Sequence, residues 1–294
     1  MTQDRHLFLA EPHGFCNGVR RALDMVENAL AAGKSPLYVL HEIVHNNFVV
    51  QDLRAKGVLF VNDPDEVPDG AFLVVSAHGA SPAVYKKASP RLHVIDATCP
   101  LVRKVQLAAE AASRHGERVL LLGHADHPEV AGIVGHCIPG TIDVLSPDTD
   151  WTDFVPEENR DICLLSQTTL NADDVAAAGK LLAGKFSSVR NGAEVCYATR
   201  DRQRAVRRLA KQVEYMFILG SSHSSNSRRL LETALKENIS AKLVDLPEEI
   251  GGMELENIRC VGLTAGASVP DELIGRAVKR LESFGFPLAA PEKG

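Results

Sequence analysis

The sequence predicts an α/β fold built from three small pseudo-repeated units, and three observations carry this. Six apolar runs, at residues 36–40, 72–75, 119–122, 162–165, 216–219 and 260–263, are short, rich in Val, Leu and Ile, and do not alternate with polar residues. Strands read this way when both faces of a sheet are covered. Helical patterns lie between them, at residues 19–31, 101–113, 202–212, 229–238 and 271–283. Strands alternating with helices argue for parallel sheets with right-handed crossovers. Finally, three cysteines each open a similar stretch, at intervals of 83 and 97 residues: Cys16-Asn-Gly-Val-Arg-Arg, Cys99-Pro-Leu-Val-Arg-Lys and Cys196-Tyr-Ala-Thr-Arg-Asp. Repetition at a domain-sized interval implies three structural units, here meeting at one metal centre.

The elements follow one grammar after each cysteine. A helical stretch leads to an apolar run that ends in a first polar motif. A second apolar run then ends in another. In the first unit these motifs are His41-Glu-Ile-Val-His45-Asn46 and Ser76-Ala-His78-Gly79. In the second they are Gly123-His-Ala-Asp-His127-Pro-Glu129 and Ser166-Gln-Thr168-Thr169, and in the third Gly220-Ser-Ser-His-Ser224-Ser225-Asn226 and Thr264-Ala-Gly-Ala-Ser268. The cysteine stands 29, 28 and 28 residues before His45, His127 and Ser224, and 62, 69 and 72 before His78, Thr168 and Ser268. The predicted units are 14–98, 99–195 and 196–283. Residues 6–10, within an N-terminal segment 1–13, form a short strand that joins one of their sheets. The end of the chain, 284–294, reads as a tail that is polar and loose from Pro287.

Composition narrows the function classes. A chain of 294 residues with net charge −6 has no global field to draw it to nucleic acid or anionic lipid. No apolar stretch reaches the roughly 18 residues of a membrane span, and the start lacks a secretory pattern. The expected setting is cytoplasmic, with neither membrane nor nucleic acid as partner. There, six cysteines are metal ligands, reactive thiols or core residues rather than disulfides.

A thiol at a helix start sits beside unpaired N–H groups and the positive end of the dipole, and both favour the thiolate that binds metal. Cys16, Cys99 and Cys196 share that place. Cys163 and Cys260 lie inside apolar runs and, with Cys137, read as small core residues. Three thiolates suit zinc or an iron–sulfur cluster. Structural zinc wants a fourth ligand. A 4Fe–4S cluster normally takes four cysteines, so three leave one iron open to bind a substrate oxygen and pass electrons to it.

The polar motifs belong at the carboxyl ends of strands, where α/β proteins place ligands. His45, His78, His127, Ser224, Ser225, Asn226 and Ser268 together suit a small, multiply charged anion such as diphosphate. Gly79, Gly123, Gly220 and Gly266 would let the backbone approach it. Each has a plainer reading: histidines as hydrogen-bonded rim residues, Ser-Ser-Asn as a helix cap. Glu129 is the one carboxylate inside such a motif. It is either a favourable charge at a helix start or a proton donor. Thr168 is either a strand-end cap or the residue that orients a substrate hydroxyl beside Glu129. His124-x-x-His127-x-Glu129 is a weak zinc signal, because Pro128 breaks the helical register.

These segments, together with Pro12-His-Gly-Phe-Cys16, Asp96-Ala-Thr-Cys99-Pro and Ser224-Ser-Asn-Ser-Arg228, resemble the 4-hydroxy-3-methylbut-2-enyl diphosphate reductases, in order, from about residue 7 to 283. The resemblance implies the last step of the deoxyxylulose phosphate route to isoprenoids. In that step an allylic alcohol diphosphate is reduced to isopentenyl and dimethylallyl diphosphate. It implies a three-lobed α/β fold around a central 4Fe–4S cluster held by Cys16, Cys99 and Cys196, with the substrate oxygen on the unique iron. It implies diphosphate held by His45, His78, His127, Ser224, Ser225, Asn226 and Ser268, proton transfer through Glu129 with Thr168 and His127 beside it, and electrons from a ferredoxin, a flavodoxin or a similar reductase system. Two features depart from the family pattern: His at position 13, where many members have Arg, and the variable pair Ser222-His223.

Two rivals share the three cysteines. A dehydratase of the quinolinate synthase kind would not need the Ser-Ser-Asn and His set. A non-catalytic redox or iron sensor would want a nucleic-acid-binding segment, and no basic patch provides one.

Overall fold

The computed structural model describes residues 5–147, 161–193 and 195–290. Among them are three four-stranded, wholly parallel sheets, each with helices packed against it.

The first sheet comprises β2 (Leu37–Leu40), β3 (Val58–Val61), β4 (Phe72–Val75) and β5 (His93–Asp96), in the order β3-β2-β4-β5. The second comprises β6 (Arg118–Leu122), β7 (Ile142–Leu145), β8 (Ile162–Ser166) and β9 (Val189–Asn191), in the order β7-β6-β8-β9. The third comprises β10 (Tyr215–Leu219), β11 (Ser240–Val244), β12 (Cys260–Ala265) and, from the far end of the chain, β1 (His6–Leu9), in the order β11-β10-β12-β1. All three share one topology. The fourth place in the third sheet is filled by the N-terminal strand, with Leu7 opposite Val261 and Leu9 opposite Leu263.

The non-alternating runs have a direct cause. In β10, Phe217 and Leu219 face one core with Leu263, Leu273 and Leu281, while Met216 and Ile218 face another with Val206, Leu209 and Leu230. In β6 and β8, Val119, Leu121, Cys163 and Leu165 pack on one side, and Leu120, Leu122, Ile162 and Leu164 on the other. Both faces are dry, so both parities are apolar. Phe217 and Phe286 are wholly buried, and truncating either to Ala would cost roughly 3–5 kcal/mol.

The helices are α1 (Asn17–Ala31), α2 (Asn47–Ala55), α3 (Pro82–Ala88), α4 (Pro100–Arg114), α5 (Pro128–Val134), α6 (Ala172–Lys185), α7 (Tyr197–Ala210), α8 (Ser225–Lys236) and α9 (Asp271–Ser283). Each of α1, α4 and α7 begins on the residue after Cys16, Cys99 or Cys196.

The chain divides into two compact units. One draws its described residues from Met1–Cys16, His45–Val49 and Tyr197–Gly294 and contains the third sheet; the other draws them from Asn17–Val44 and Val50–Cys196 and contains the first two.

The tail corrects one expectation. Pro287 accepts a hydrogen bond from the Leu7 amide (2.9 Å), Ala289 donates to the Leu7 carbonyl (2.8 Å), and Leu288 bridges Leu7 in parallel. Residues 287–289 therefore extend the third sheet beyond β1 instead of hanging loose. Unpaired groups on an edge strand recruit backbone whatever its side chains. Residues 291–294 of the expected tail lie outside the described residues.

Candidate functional site

Every polar motif stands at the carboxyl end of a first or third strand of its sheet, and each compact unit holds part of the candidate set. In the unit that contains the third sheet, Ser224 caps α8, its side chain accepting from the Ser227 amide (3.3 Å). Ser225 and Asn226 follow in the first turn, both buried. The Asn226 Oδ1 accepts from the Ala267 amide (2.9 Å), which holds the loop after β12 against the start of α8. Its Nδ2 is buried with no partner. A buried amide donor left unsatisfied costs about 1–3 kcal/mol, and here it lies at a helix start of the kind that binds anions. Ser268 donates its hydroxyl proton to the His45 carbonyl (3.0 Å), and Phe48 packs on the core of the third sheet. His45, Ser268 and Asn226 thus form one connected set through the Ala267–Ser268 backbone.

In the other unit, the His78 and His127 rings meet edge to face, 5.5 Å between centroids. His127 is the N-cap of α5, and its Nδ1 accepts from the Glu129 amide (3.1 Å), which leaves the ring proton on Nε2. The Glu129 carboxylate reaches across to the end of β8. Oε1 accepts from the Thr168 amide (2.6 Å) and Oε2 from the Thr168 hydroxyl (2.9 Å). Glu129 is 1% exposed. Burial pushes its pKa up to about 7, against the lowering effect of the two Thr168 hydrogen bonds. Glu129 thus lies in the first turn of α5 with its carboxylate turned inward to Thr168.

Cys16, Cys99 and Cys196 are outside any disulfide and each is partly buried. Their amides make the same hydrogen bond three times, to the strand-end loop of a third strand: Cys16 to the Ala267 carbonyl (3.1 Å), Cys99 to Ala77 (3.0 Å) and Cys196 to Thr168 (3.2 Å). Each acceptor is, or directly precedes, a candidate substrate residue. Each cysteine also follows the fourth strand of a sheet, β1, β5 or β9. Among the described residues no three His, Cys, Asp or Glu side chains gather as they would around a single metal ion. A 4Fe–4S unit takes each thiolate on a different iron. Three reduced thiols in repeat-equivalent places fit such a group.

Cys163 is wholly buried among apolar side chains, and burial pushes its thiol up to about 11, as it does for Cys137. Neither is tuned to bind metal. The glycines serve packing. The space a Cβ would need at Gly220 and at Gly266 is taken by the Ser227 hydroxyl, at Gly79 by the Gln106 amide, and at Gly123 by Val130.

Sequence reading missed the residues that hold the cysteine loops. Asp96 accepts from the Thr98 amide (3.0 Å) and hydroxyl and from the Arg103 guanidinium; Arg103 also donates to the Tyr85 hydroxyl (3.1 Å). Arg202, 4% exposed, donates to the Gly14 carbonyl. Only the recurrence of arginine soon after each cysteine pointed to this.

Comparison with known proteins places the chain in a family. A 4-hydroxy-3-methylbut-2-enyl diphosphate reductase of Escherichia coli O9:H4 (strain HS) is 46% identical over 294 residues, covering 98% of this chain and 93% of its own. The enzyme of that name from Haemophilus ducreyi is 43% identical, covering 95% and 91%. Among solved structures, the E-1-hydroxy-2-methyl-but-2-enyl-4-diphosphate reductase of Plasmodium falciparum superposes with a TM-score of 0.92 at 33% identity, over 97% of this chain and 91% of its own. The LytB protein family model matches residues 7–282, and with that span and those identities the chain belongs to the LytB family of 4-hydroxy-3-methylbut-2-enyl diphosphate reductases.

Proposed function

We propose that this chain reduces 4-hydroxy-3-methylbut-2-enyl diphosphate to isopentenyl and dimethylallyl diphosphate. The allylic C–O bond breaks, the hydroxyl leaves as water with one proton, the allyl carbon gains the other, and two electrons enter. In this reading the units 14–98, 99–195 and 196–283 each contribute one ligand to a 4Fe–4S cluster, Cys16, Cys99 and Cys196. When bound, the cluster supplies the electrons and a Lewis-acidic iron, and it is refilled by an external donor of the ferredoxin or flavodoxin kind in the cytoplasm. The observation that supports this best is the thrice-repeated anchoring of a cysteine amide to a loop that carries Ser268, His78 or Thr168.

The chain's own residues do the rest. Asn226 offers its buried Nδ2 to the diphosphate, beside the first turn of α8 with Ser224 and Ser225. His127 offers Nε2–H, and His78 stands against it. Ser268 fixes the backbone of His45. With its carboxyl near pH 7, Glu129 is part protonated in neutral solution. Protonated, it can donate to the Thr168 oxygen and free the Thr168 hydroxyl proton for the substrate hydroxyl. Ionised, it takes that proton's hydrogen bond back. An acid whose pKa lies near the working pH is the effective one.

The test is anaerobically reconstituted holoprotein with a strong reductant and the allylic diphosphate, read by product analysis. Formation of both five-carbon diphosphates is expected. A cluster-loaded protein that leaves the substrate intact would overturn the assignment.

A further inference from the structure

Each compact unit has an arginine that holds the backbone leading into a cysteine. Arg21 lies on α1, five residues after Cys16, and its Nη1 donates to the carbonyl of Thr98, the residue before Cys99 (3.1 Å). Arg202 lies on α7, six residues after Cys196. Its Nη2 donates to the carbonyl of Gly14, two residues before Cys16 (2.6 Å), and its Nη1 to Ala198 on its own helix (2.8 Å). In one unit α7 thus holds the approach to Cys16, and in the other α1 holds the approach to Cys99.

Both loops are pinned on two sides. The cysteine amide is fixed to a strand end, on Ala267 or Ala77, and the carbonyl just upstream is fixed to a guanidinium. Thr98 is held further by Asp96 through its amide and hydroxyl. Gly14 sits at φ +66, in the left-handed region that favours glycine, and a Cβ there would come within 2.8 Å of Ile274. With the backbone fixed on both sides, the thiol is left little beyond its side-chain rotamer.

We propose that Arg21 and Arg202 are positioning residues for the iron ligands, setting the Cys99 and Cys16 loops before metal arrives. The proposal rests on the 4Fe–4S reading above. Arg202 spans two carbonyls with its fork, a task an ammonium does not reproduce. Arg21 holds a single carbonyl, which lysine can also reach.

The test compares anaerobically reconstituted wild type with Arg21→Gln, Arg21→Lys, Arg202→Gln and, as a control on the exposed face of α7, Arg204→Gln. The readouts are the rate of iron loss to a chelator and the EPR spectrum of the reduced cluster, neither of which needs substrate. Arg21→Gln and Arg202→Gln are expected to lose iron about 10–100-fold faster, the usual cost of removing an outer partner of a metal ligand, and to shift the EPR signal. Arg21→Lys should restore most of both, and Arg204→Gln should match wild type. Arg21→Gln with wild-type iron loss and an unchanged spectrum would overturn the proposal. Should Arg202→Gln fail to fold by circular dichroism, the two Arg21 variants decide alone. A wild type that takes up no four-iron cluster would instead sink the cluster reading itself.

Discussion

Glu129 and Thr168 make two hydrogen bonds to each other, amide to Oε1 at 2.6 Å and hydroxyl to Oε2 at 2.9 Å, across 39 residues of sequence. Glu129 lies in the first turn of α5 and Thr168 just beyond β8, so the pair joins the loops that follow the neighbouring strands β6 and β8. Replacing Glu129 with Gln keeps the shape and the amide bond but removes the proton. The variant should keep its iron and its KM yet turn over about a hundredfold more slowly or worse. Near wild-type kcat with full iron would return Glu129 to a helix-start role.

The same carboxyl sets a pH dependence. Its pKa is raised from 4.5 to about 7 by burial. The folded state therefore holds the proton more tightly than the unfolded state between those values. Stability falls as pH rises from 4.5 towards 7 and levels off above, by an amount on the order of 3 kcal/mol. Chemical denaturation of the apo form across pH 4.5–8 should show this slope in wild type and its loss in Glu129→Gln. Turnover that needs the acid form should decline above about pH 7.

Iron content separates the cysteines. Serine at 16, 99 or 196 should remove most bound iron from the reconstituted protein, whereas alanine at 137, 163 or 260 should leave it. Full iron in Cys99→Ser would refute the three-ligand model.

Asn226 has two jobs on its two ends. Alanine there removes the Nδ2 donor and also the acceptor of the Ala267 amide. KM for the diphosphate substrate should rise by about 10-fold or more, the worth of one hydrogen bond to a charged group, while kcat changes less. An unchanged KM would take Asn226 out of the anion site.

The tail can be tested at one atom. Proline at 289 deletes the N–H that donates to Leu7 and should lower stability by about 1 kcal/mol. Equal denaturation midpoints for wild type and Ala289→Pro would show that the extension adds nothing.

What the sequence made legible was the interior. The strands buried on both faces, β2, β4, β6, β8, β10 and β12, stood out because nearly every position is apolar. Helix α9 matched its expected bounds, and the other four helices read from periodicity did so to within a few residues. Four of the other strands, β3, β5, β7 and β9, and most of β11 were not read, since they lie at sheet edges, where few residues are buried and little distinguishes them from loops. The shorter helices α2, α3 and α5 fall between motifs and carry too few turns for a period, and α6 is weakly amphipathic. The motif residues were legible because they recur. Arg21, Asp96, Arg103 and Arg202 act through backbone carbonyls or through one another, and no spacing encodes such contacts.

The place of β1 in the third sheet has a consequence for how the chain is made. β1 leaves the ribosome first, and its partner β12 lies about 250 residues later. The sheets β2–β5 and β6–β9 are each drawn from one continuous stretch and can form as they emerge. β1 must wait, and the cysteine it leads to waits with it, because the Ala267 carbonyl that holds the Cys16 amide is synthesised about 250 residues after it. A chain cut short at β12 would still carry all three thiols but would lack the atom that sets one of them.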